Sequence, residues 1–283
     1  MYKVLLFCLI AVTFCGGKSE AGSLRSKQII FPPDEISRLE ANFDIGAGEI
    51  NLRPGDTTKA IVSADVEYDP KNIEVYSDYE KRGKTGYLEV GSEVQSHTHM
   101  DTEDNRWNII LSKQYQTELK IDIGACDADL DLGGIPLTFL KLSIGAAKGH
   151  LVFSSPNPAT CDISIDAGAS SFEIEKLGNA NFEYLTLDGG VGEFIIDFAG
   201  EYKTKARARI SIGLGKATIY IPSGLPIRIE AEDNFLSSVD FKNAGRFDIE
   251  DVYCESKDFH DSPVGLDIKI DVSLGKVEIV WVD

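Results

Sequence analysis

The side chains best suited to bind a metal ion are a histidine pair with acidic neighbours. His97 and His99 alternate, so both imidazoles could lie on one side of a strand and bind Zn²⁺ or another borderline metal. The acidic neighbours are Asp101, Glu103 and Asp104. Because the surrounding residues are mostly polar, we interpret this stretch as a solvated loop and predict no metal site there.

Aspartates recur at positions that could bind Ca²⁺ through carboxylate oxygens. Asp127, Asp129 and Asp131 alternate, and Asp166 and Asp188 occupy the same place in two copies of a repeat. The glycine-rich nonapeptide of calcium-binding β-rolls is not met. Bend conformation and solubility account for these residues, and we predict that the protein needs no cofactor.

A glycine-rich segment superficially resembles a phosphate-binding loop. Such a loop needs Gly-Lys-Ser/Thr at the start of a helix, whose N-terminus faces the anion. Here Gly215 and Lys216 are followed by Ala217, and residues 218–221 are typical of a strand. Nucleotide binding is therefore not predicted.

The histidines and cysteines do not form a catalytic pattern. His150 falls at a polar, outward position of its repeat, and neither it nor His260 has a neighbouring Ser or Cys placed for nucleophilic catalysis. After residue 15 the cysteines are Cys126, Cys161 and Cys254, an odd number without a CxxC motif. At most one disulfide can therefore form within the chain. We interpret each cysteine as a small buried side chain and predict no catalytic residues.

Charge limits the class of partner. The chain has 283 residues, with 28 Lys and Arg against 46 Asp and Glu, which gives a formal net charge of −18. This balance argues against a nucleic-acid-binding surface, which needs a basic face, and disfavours electrostatic docking on anionic lipids. The 26 glycines, beside two Met and two Trp, favour short strands and many turns.

The N-terminus is typical of an export signal. A lysine precedes an apolar run over residues 4–14, which is too short to span a bilayer. We interpret residues 1–15 as a signal peptide of the lipoprotein type, with Cys15 as the lipid acceptor, although Phe14 replaces the usual small residue before that cysteine. The alternative is ordinary cleavage after Ala21. Both interpretations predict an exported protein. A lipidated protein would lie in the cell envelope and contact the membrane only through its lipid, whereas a protein cleaved after Ala21 would be periplasmic or secreted.

A ten-residue pattern recurs seven times along the chain. It reads apolar, polar, apolar, usually Gly or Asp, two mostly small residues, two variable residues, a mostly polar residue and a large apolar residue. The copies start at residues 43, 121, 142, 163, 185, 210 and 270, and the second to sixth starts are 21, 21, 22 and 25 residues apart. The alternation is typical of a strand with one buried face, and the Gly or Asp predicts a bend.

Position six of the repeat is always small, and position ten is always large and apolar. We predict that position six forms one column of close backbone packing and that position ten forms an internal apolar column. The position-six residues are Gly48, Cys126, Ala147, Gly168, Gly190, Gly215 and Gly275. A strand, a bend and a second strand, repeated about every 21 residues, predict an all-β fold, a single-chain β-solenoid. A conventional sandwich is less favoured, because it would not require the same small residue in every strand.

The ends of the chain differ from the middle. We predict a linker over residues 16–35 and one solenoid domain over residues 36–283. Its N-terminal portion, residues 36–120, is strand-rich, with strands at 60–68, 74–79, 87–90 and 107–111. The regular coils occupy residues 121–221, and a cap with the final coil occupies residues 222–283.

The repeat resembles a bacterial family of exported or membrane-tethered β-solenoids, the toast-rack domains, which overlap a group named putative adhesins. The resemblance covers roughly residues 36–283 and is carried by FDIGAGEINL, IDIGACDADLDLGGIPLTFL, LGNANFEYLTLDGGVGEFIIDFAG, ISIGLGKATIYIP and VSLGKVEIVW. It implies the fold but no enzymatic activity. Related domains form the extracytoplasmic part of some envelope-stress-response membrane proteins.

The favoured hypothesis is therefore a non-enzymatic, lipid-anchored envelope protein that presents a β-solenoid surface to an envelope protein or a polysaccharide. A regulatory module that senses envelope stress is the alternative, and a polysaccharide-active enzyme is less favoured. The sequence leaves the identity of the partner and the oligomeric state open.

Overall fold

The computed structural model describes residues 24–55, 59–95, 105–232, 236–244, 249–250 and 252–283. The expected signal peptide with Cys15, the alternative cleavage site at Ala21 and the cluster that begins at His97 lie outside the described residues.

Within the described residues, sixteen strands form one continuous sheet. In chain order they are β1 (Arg25–Phe31), β2 (Arg38–Gly55), β3 (Val62–Tyr68), β4 (Ile73–Arg82), β5 (Thr85–Val94), β6 (Asn105–Ser112), β7 (Gln116–Asp131), β8 (Leu137–Val152), β9 (Cys161–Glu175), β10 (Phe182–Asp197), β11 (Lys205–Pro222), β12 (Ile227–Glu232), β13 (Ser237–Lys242), β14 (Ile249–Glu250), β15 (Tyr253–Glu255) and β16 (Gly265–Val282). A 3-10 helix, Leu177–Ala180, precedes β10. None of the described helical residues forms a segment long and apolar enough to cross a membrane.

Seven long strands stack side by side in parallel, in the order β2, β7, β8, β9, β10, β11 and β16. Each bends near its middle, where the alternation of buried and exposed side chains breaks; in β11, for example, both Gly213 and Leu214 are exposed. From β7 to β11, short connections return the chain from the end of one long strand to the start of the next, whereas the chain forms the end strands between β2 and β7 and between β11 and β16. The predicted all-β solenoid is confirmed.

The connections bury backbone polar groups, and asparagines satisfy many of them. The Asn157 Nδ2 amide donates to the carbonyl oxygens of Leu137 and Ala180 at 2.9 and 3.1 Å. The Asn179 amide donates to the Phe153 carbonyl at 2.9 Å, one coil away. These bonds link the connection that follows β8 to the connection that follows β9.

The pairing of the strands corrects the predicted position-six column. The fourth and fifth copies of the repeat are shifted by two residues against their neighbours, so that Leu142 pairs with Ile165 and Leu187 pairs with Ile210. Gly168 and Gly190 therefore do not align with the other position-six residues. The single column predicted from the sequence is wrong at these two glycines.

Two columns of small residues run through the stack instead. The first small-residue column is Gly46, Gly124, Gly145, Gly168, Gly190 and Gly213. The second small-residue column is Gly48, Cys126, Ala147, Ser170, Gly192, Gly215 and Gly275.

The same shift changes the internal apolar column. Phe172 and Phe194 are position-ten residues, but the strand pairing places them in the neighbouring inward column, where Phe172 pairs with Gly149 and Phe194 pairs with Ala217. The column that remains is aliphatic throughout and at most 1% exposed: Leu52, Leu130, Leu151, Ile174, Ile196, Ile219 and Ile279.

Shorter strands cover both ends of the stack. At the N-terminal end, β5 and β6 pair in parallel with the two halves of β2, and β4, β3 and β1 extend this layer in antiparallel fashion. At the C-terminal end, β12 and β13 pair with the two halves of β16, and β15 and β14 follow in antiparallel fashion. The four strands predicted in the N-terminal portion correspond to β3, β4, β5 and β6.

Candidate functional site

The corner where the long strands bend carries an exposed apolar row, which we name the corner ridge. It consists of Val191, Leu214 and Leu274, which pair side by side on β10, β11 and β16 and are 52%, 45% and 43% exposed. Four alanines continue the same line on the earlier coils: Ala47, Ala125, Ala146 and Ala169. The side chains at the corner thus grow from Ala to Leu towards the C-terminal end.

The two small-residue columns flank the corner ridge and leave its side chains without neighbours along the strand. A Cβ atom on Gly190 would lie 2.5 Å from the carbonyl oxygen of Gly168 on the preceding coil. A Cβ atom on Gly213 would lie 2.8 Å from the carbonyl oxygen of Gly190. The backbones pack too closely for side chains here, so the ridge protrudes above bare backbone.

A row of carboxylates and hydroxyls runs parallel to the corner ridge, two positions before the first small-residue column. We name it the acidic row; it consists of Asp44, Asp122, Ser143, Asp166, Asp188, Ser211 and Asp271. Asp166 and Asp188 stack as the sequence predicts. A groove of about 580 Å³ lies between this row and the first small-residue column over the coils from β2 to β10. Burial raises the pKa of Asp44, and the charge of Asp122 raises it further.

The acidic row does not form a recognisable metal centre. In the part of the chain that the structure describes, no three His, Cys, Asp or Glu side chains are arranged to bind a metal ion. The carboxylates of the row form a line of negative charge along the sheet.

A second groove, of about 470 Å³, crosses the outer face of the second half-strands around His150. The Nδ1 atom of His150 lies 3.0 Å from Asp129 Oδ1, and its Nε2 atom lies 3.4 Å from Glu175 Oε1. The guanidinium of Arg53 also donates to Asp129. Burial by itself would raise the pKa of Asp129, but the hydrogen bonds from Arg53 and His150 outweigh it and lower the pKa. These contacts cross-link four neighbouring coils.

Comparison with protein families identifies the fold. The family model for the N-terminal domain of toast_rack, DUF2154, matches residues 20–175 and again residues 156–220. The chain belongs to the toast-rack family. The resemblance seen in the repeat is therefore confirmed.

Two solved structures are similar to this toast-rack chain. One is the putative cell adhesion protein from Clostridium sporogenes, at 21% identity and a TM-score of 0.47, with 92% of this chain and all of that chain covered. The other is the putative lipid binding protein from Parabacteroides distasonis, at 11% identity and a TM-score of 0.37, with 91% and 97% covered. No curated protein matches the chain.

The toast-rack structure places the three cysteines in the interior. Cys126, Cys161 and Cys254 are all buried, and no disulfide joins any two of them. Burial raises the pKa of Cys126 and of Cys161 to about 12, with a smaller contribution from a neighbouring aspartate in each case. Thiols of this kind are inert towards nucleophilic chemistry near neutral pH.

The corner ridge is the feature that sequence reasoning missed. In two copies of the repeat, a leucine lies directly before the position-six glycine: Leu214, between Gly213 and Gly215, and Leu274, between Ser273 and Gly275. The pattern treats the fourth position as a bend residue and the fifth as one of two mostly small positions, so a leucine at the fifth position does not stand out. A large aliphatic residue at the centre of a bend is the signal that could have revealed it.

Proposed function

We propose that this protein is an exported, lipid-anchored protein of the cell envelope that binds a partner protein and has no enzymatic activity. The observation that carries the proposal is the corner ridge. Contiguous exposed aliphatic side chains on a folded protein mark interaction surfaces. Val191, Leu214 and Leu274 are each about half exposed, and covering them would contribute roughly 1 kcal/mol each.

The chemistry of the ridge favours a protein partner over a polysaccharide. An aliphatic row offers no hydrogen-bonding groups for sugar hydroxyls, whereas it complements an apolar strip on another protein. The stack behind the ridge is a continuous parallel sheet, so the row is presented on a rigid support.

The anchor is tested by intact mass and membrane fractionation of the native protein, with Cys15→Ala as the control. We expect a diacylglycerol adduct at Cys15 and membrane association, both lost in Cys15→Ala. A product cleaved near Ala21 without lipid would overturn the anchor and leave a periplasmic or secreted protein. An intact, uncleaved N-terminus in the cytoplasmic fraction would overturn export itself.

Partner binding is tested by site-specific photo-crosslinking in the native host. A photoreactive amino acid replaces Leu214, and a matched control carries it at Lys269, an exposed residue of β16 away from the corner. We expect a covalent adduct at position 214 only, and its loss when Leu274→Ser is added. No adduct, or the same adducts at both positions, would refute binding through the ridge.

A further inference from the structure

We propose that the partner presents a basic amphipathic α-helix, which lies along the corner ridge with its basic side chains over the acidic row. This inference rests on the proposed function, because both use the corner ridge. It adds the secondary structure and the charge of the partner segment, which follow from spacing and electrostatics.

The spacing along the corner ridge favours a helix over an extended strand. Val191, Leu214 and Leu274 lie on adjacent strands, so successive residues are about 4.8 Å apart. A helix repeats its apolar stripe about every 5.4 Å, and a strand repeats one face about every 6.7 Å. From Val191 to Leu274, the ridge spacing and the repeat of the partner segment differ by about 1 Å in total for a helix and by about 4 Å for a strand.

The distance across the corner also fits a helix. Asp188 and Asp271 precede Val191 and Leu274 by three residues, which is about 10 Å along a strand. This separation is close to the diameter of a helix with its side chains. The first small-residue column lies between the two rows, with Gly190 on β10 and Gly213 on β11, and Ser273 takes the same place on β16. A helix on the ridge therefore meets only one small side chain there.

The charges beside the corner ridge leave a small excess of negative charge, which favours a basic partner. Two cations lie on the outer face two residues before the acidic row: Arg209 on β11 and Lys269 on β16. Lys269 is paired with Glu230 at 3.0 Å, so Arg209 is set against the two carboxylates of the row.

Asp188 and Asp271 make no ion pair within the described ranges of the chain. On the opposite flank, the lysines are already paired: Lys216 lies 3.3 Å from Glu278, and Lys276 lies 2.8 Å from Asp240.

The net charge of −18 adds long-range attraction for a cationic segment. The same charge disfavours a second copy of this chain and an anionic lipid surface as occupants of the ridge.

The test measures binding of a fluorescent basic amphipathic peptide, with leucines on one helical face and lysines on the other, by anisotropy. A scrambled peptide of the same composition serves as the control for non-specific charge attraction. The ridge variant is Leu214→Ser with Leu274→Ser, and the acidic-row variant is Asp188→Asn with Asp271→Asn. The charge-matched control is Asp162→Asn with Glu183→Gln, two exposed carboxylates at the far ends of β9 and β10. Circular dichroism and Tm establish that every variant is folded.

We expect the ridge variant and the acidic-row variant each to bind about tenfold more weakly, and the scrambled peptide to bind about tenfold more weakly to the wild type. The charge-matched control should stay within about twofold of the wild type. The proposal of a helical partner segment would be refuted if the wild type and the ridge variant bound the amphipathic peptide equally, or if the wild type bound the amphipathic and the scrambled peptide equally.

Two further outcomes separate this inference from the proposed function. If the photo-adduct at position 214 forms normally but the peptide does not bind, the helix is wrong and partner binding stands. If the ridge instead mediates association with vesicles of phosphatidylcholine and phosphatidylglycerol, or with a second copy in sedimentation, the helix is likewise overturned. The absence of any adduct together with the absence of peptide binding overturns both.

Discussion

At the scale of single residues, Gly215 shows how little room the corner leaves. Its φ of +146° lies in a region that L side chains rarely adopt, and a Cβ atom would overlap the Gly192 carbonyl of the preceding coil. Gly275 repeats the arrangement one coil later, with a φ of +144° against the carbonyl of Gly215. At these two glycines, the second small-residue column is therefore fixed by backbone contact from coil to coil.

We expect Gly215→Ala to lower the free energy of unfolding by about 3 kcal/mol or more, since it combines backbone strain with a clash against backbone. Gly224→Ala is the matched control, because nothing lies within 4 Å of its Cβ position. The control should change stability by less than about 1 kcal/mol. Urea denaturation of the two variants is the measurement, and equal midpoints would contradict the proposed packing.

Asp44 and Asp129 should give opposite pH dependences. The raised pKa of Asp44 means that its ionised form is disfavoured in the folded state, so this group costs stability as pH rises above about 4. The lowered pKa of Asp129 means that its ionised form is favoured, so its contribution is complete above about pH 4 and is lost as pH falls.

We therefore expect Asp44→Asn to raise the Tm at pH 7 and Asp129→Asn to lower it. Both differences should shrink as the pH falls below about 4, where the wild-type carboxylates become protonated. The measurement is thermal unfolding of the two variants and the wild type between pH 3 and pH 7, in steps of roughly one pH unit. Changes of the same sign in both variants would refute the assigned environments.

At the scale of elements, neighbouring strands adjust their side-chain sizes to one another. Along one inward column, Ala128 and Gly149 are followed by Phe172 and Phe194. A Cβ atom on Gly149 would overlap the ring of Phe172, so the ring occupies the space that glycine leaves on β8. Size complementarity of this kind gives the interior its density.

We expect Gly149→Ala to cost about 1–3 kcal/mol through overpacking, and Phe172→Leu to cost a similar amount through lost contacts. The double variant should be more stable than the sum of the two changes predicts, with a coupling of about 1 kcal/mol or more. A double-mutant cycle in urea measures this coupling. Strict additivity would show that the ring does not depend on Gly149.

The sequence could predict the coils but not their alignment, and the reason is the period of a strand. A shift by two residues returns every side chain to the same face, so the apolar pattern is satisfied equally well before and after it. Gly168 and Gly190 therefore fit position six of the sequence pattern. In the structure, however, strand pairing aligns them with Gly145 and Gly213, which are at position four of their copies. The backbone contacts between glycines select the observed register, and these contacts are invisible in a single sequence.

The candidate site was harder to predict than the fold. Leu214 follows Gly213, and at the corner both residues point outward, which breaks the alternation from which burial is inferred. The exposure of Leu214 thus depends on where the bend occurs. The acidic row was recognised only in part, because Asp166 and Asp188 were assigned to a bend position rather than to a line that includes Asp44 and Asp122.

At the scale of the whole molecule, stability is a property of the stack. The bent strands of β8, β9 and β10 each have a long parallel neighbour on both edges, whereas β1 pairs with β3 and the two-residue β14 pairs with β15. In repeat structures each coil is stabilised mainly by the coils beside it, so opening proceeds from the ends at lower cost than from the middle.

We expect hydrogen–deuterium exchange to show a gradient along the stack. Amides of β9 should be the most protected, because they exchange only when both neighbours open, and amides of β1 and of β15 should exchange about a hundredfold faster or more. The measurement is hydrogen–deuterium exchange followed by mass spectrometry of peptides from each strand. The same measurement on Leu151→Ala is informative, because this change removes a fully buried side chain from β8. In that variant the protection of β9 should fall more than that of β1, since the weakened contact lies beside β9. Equal protection of β1 and β9 in the wild type would mean that the sheet opens as one unit, and the nearest-neighbour account of this solenoid would then be wrong.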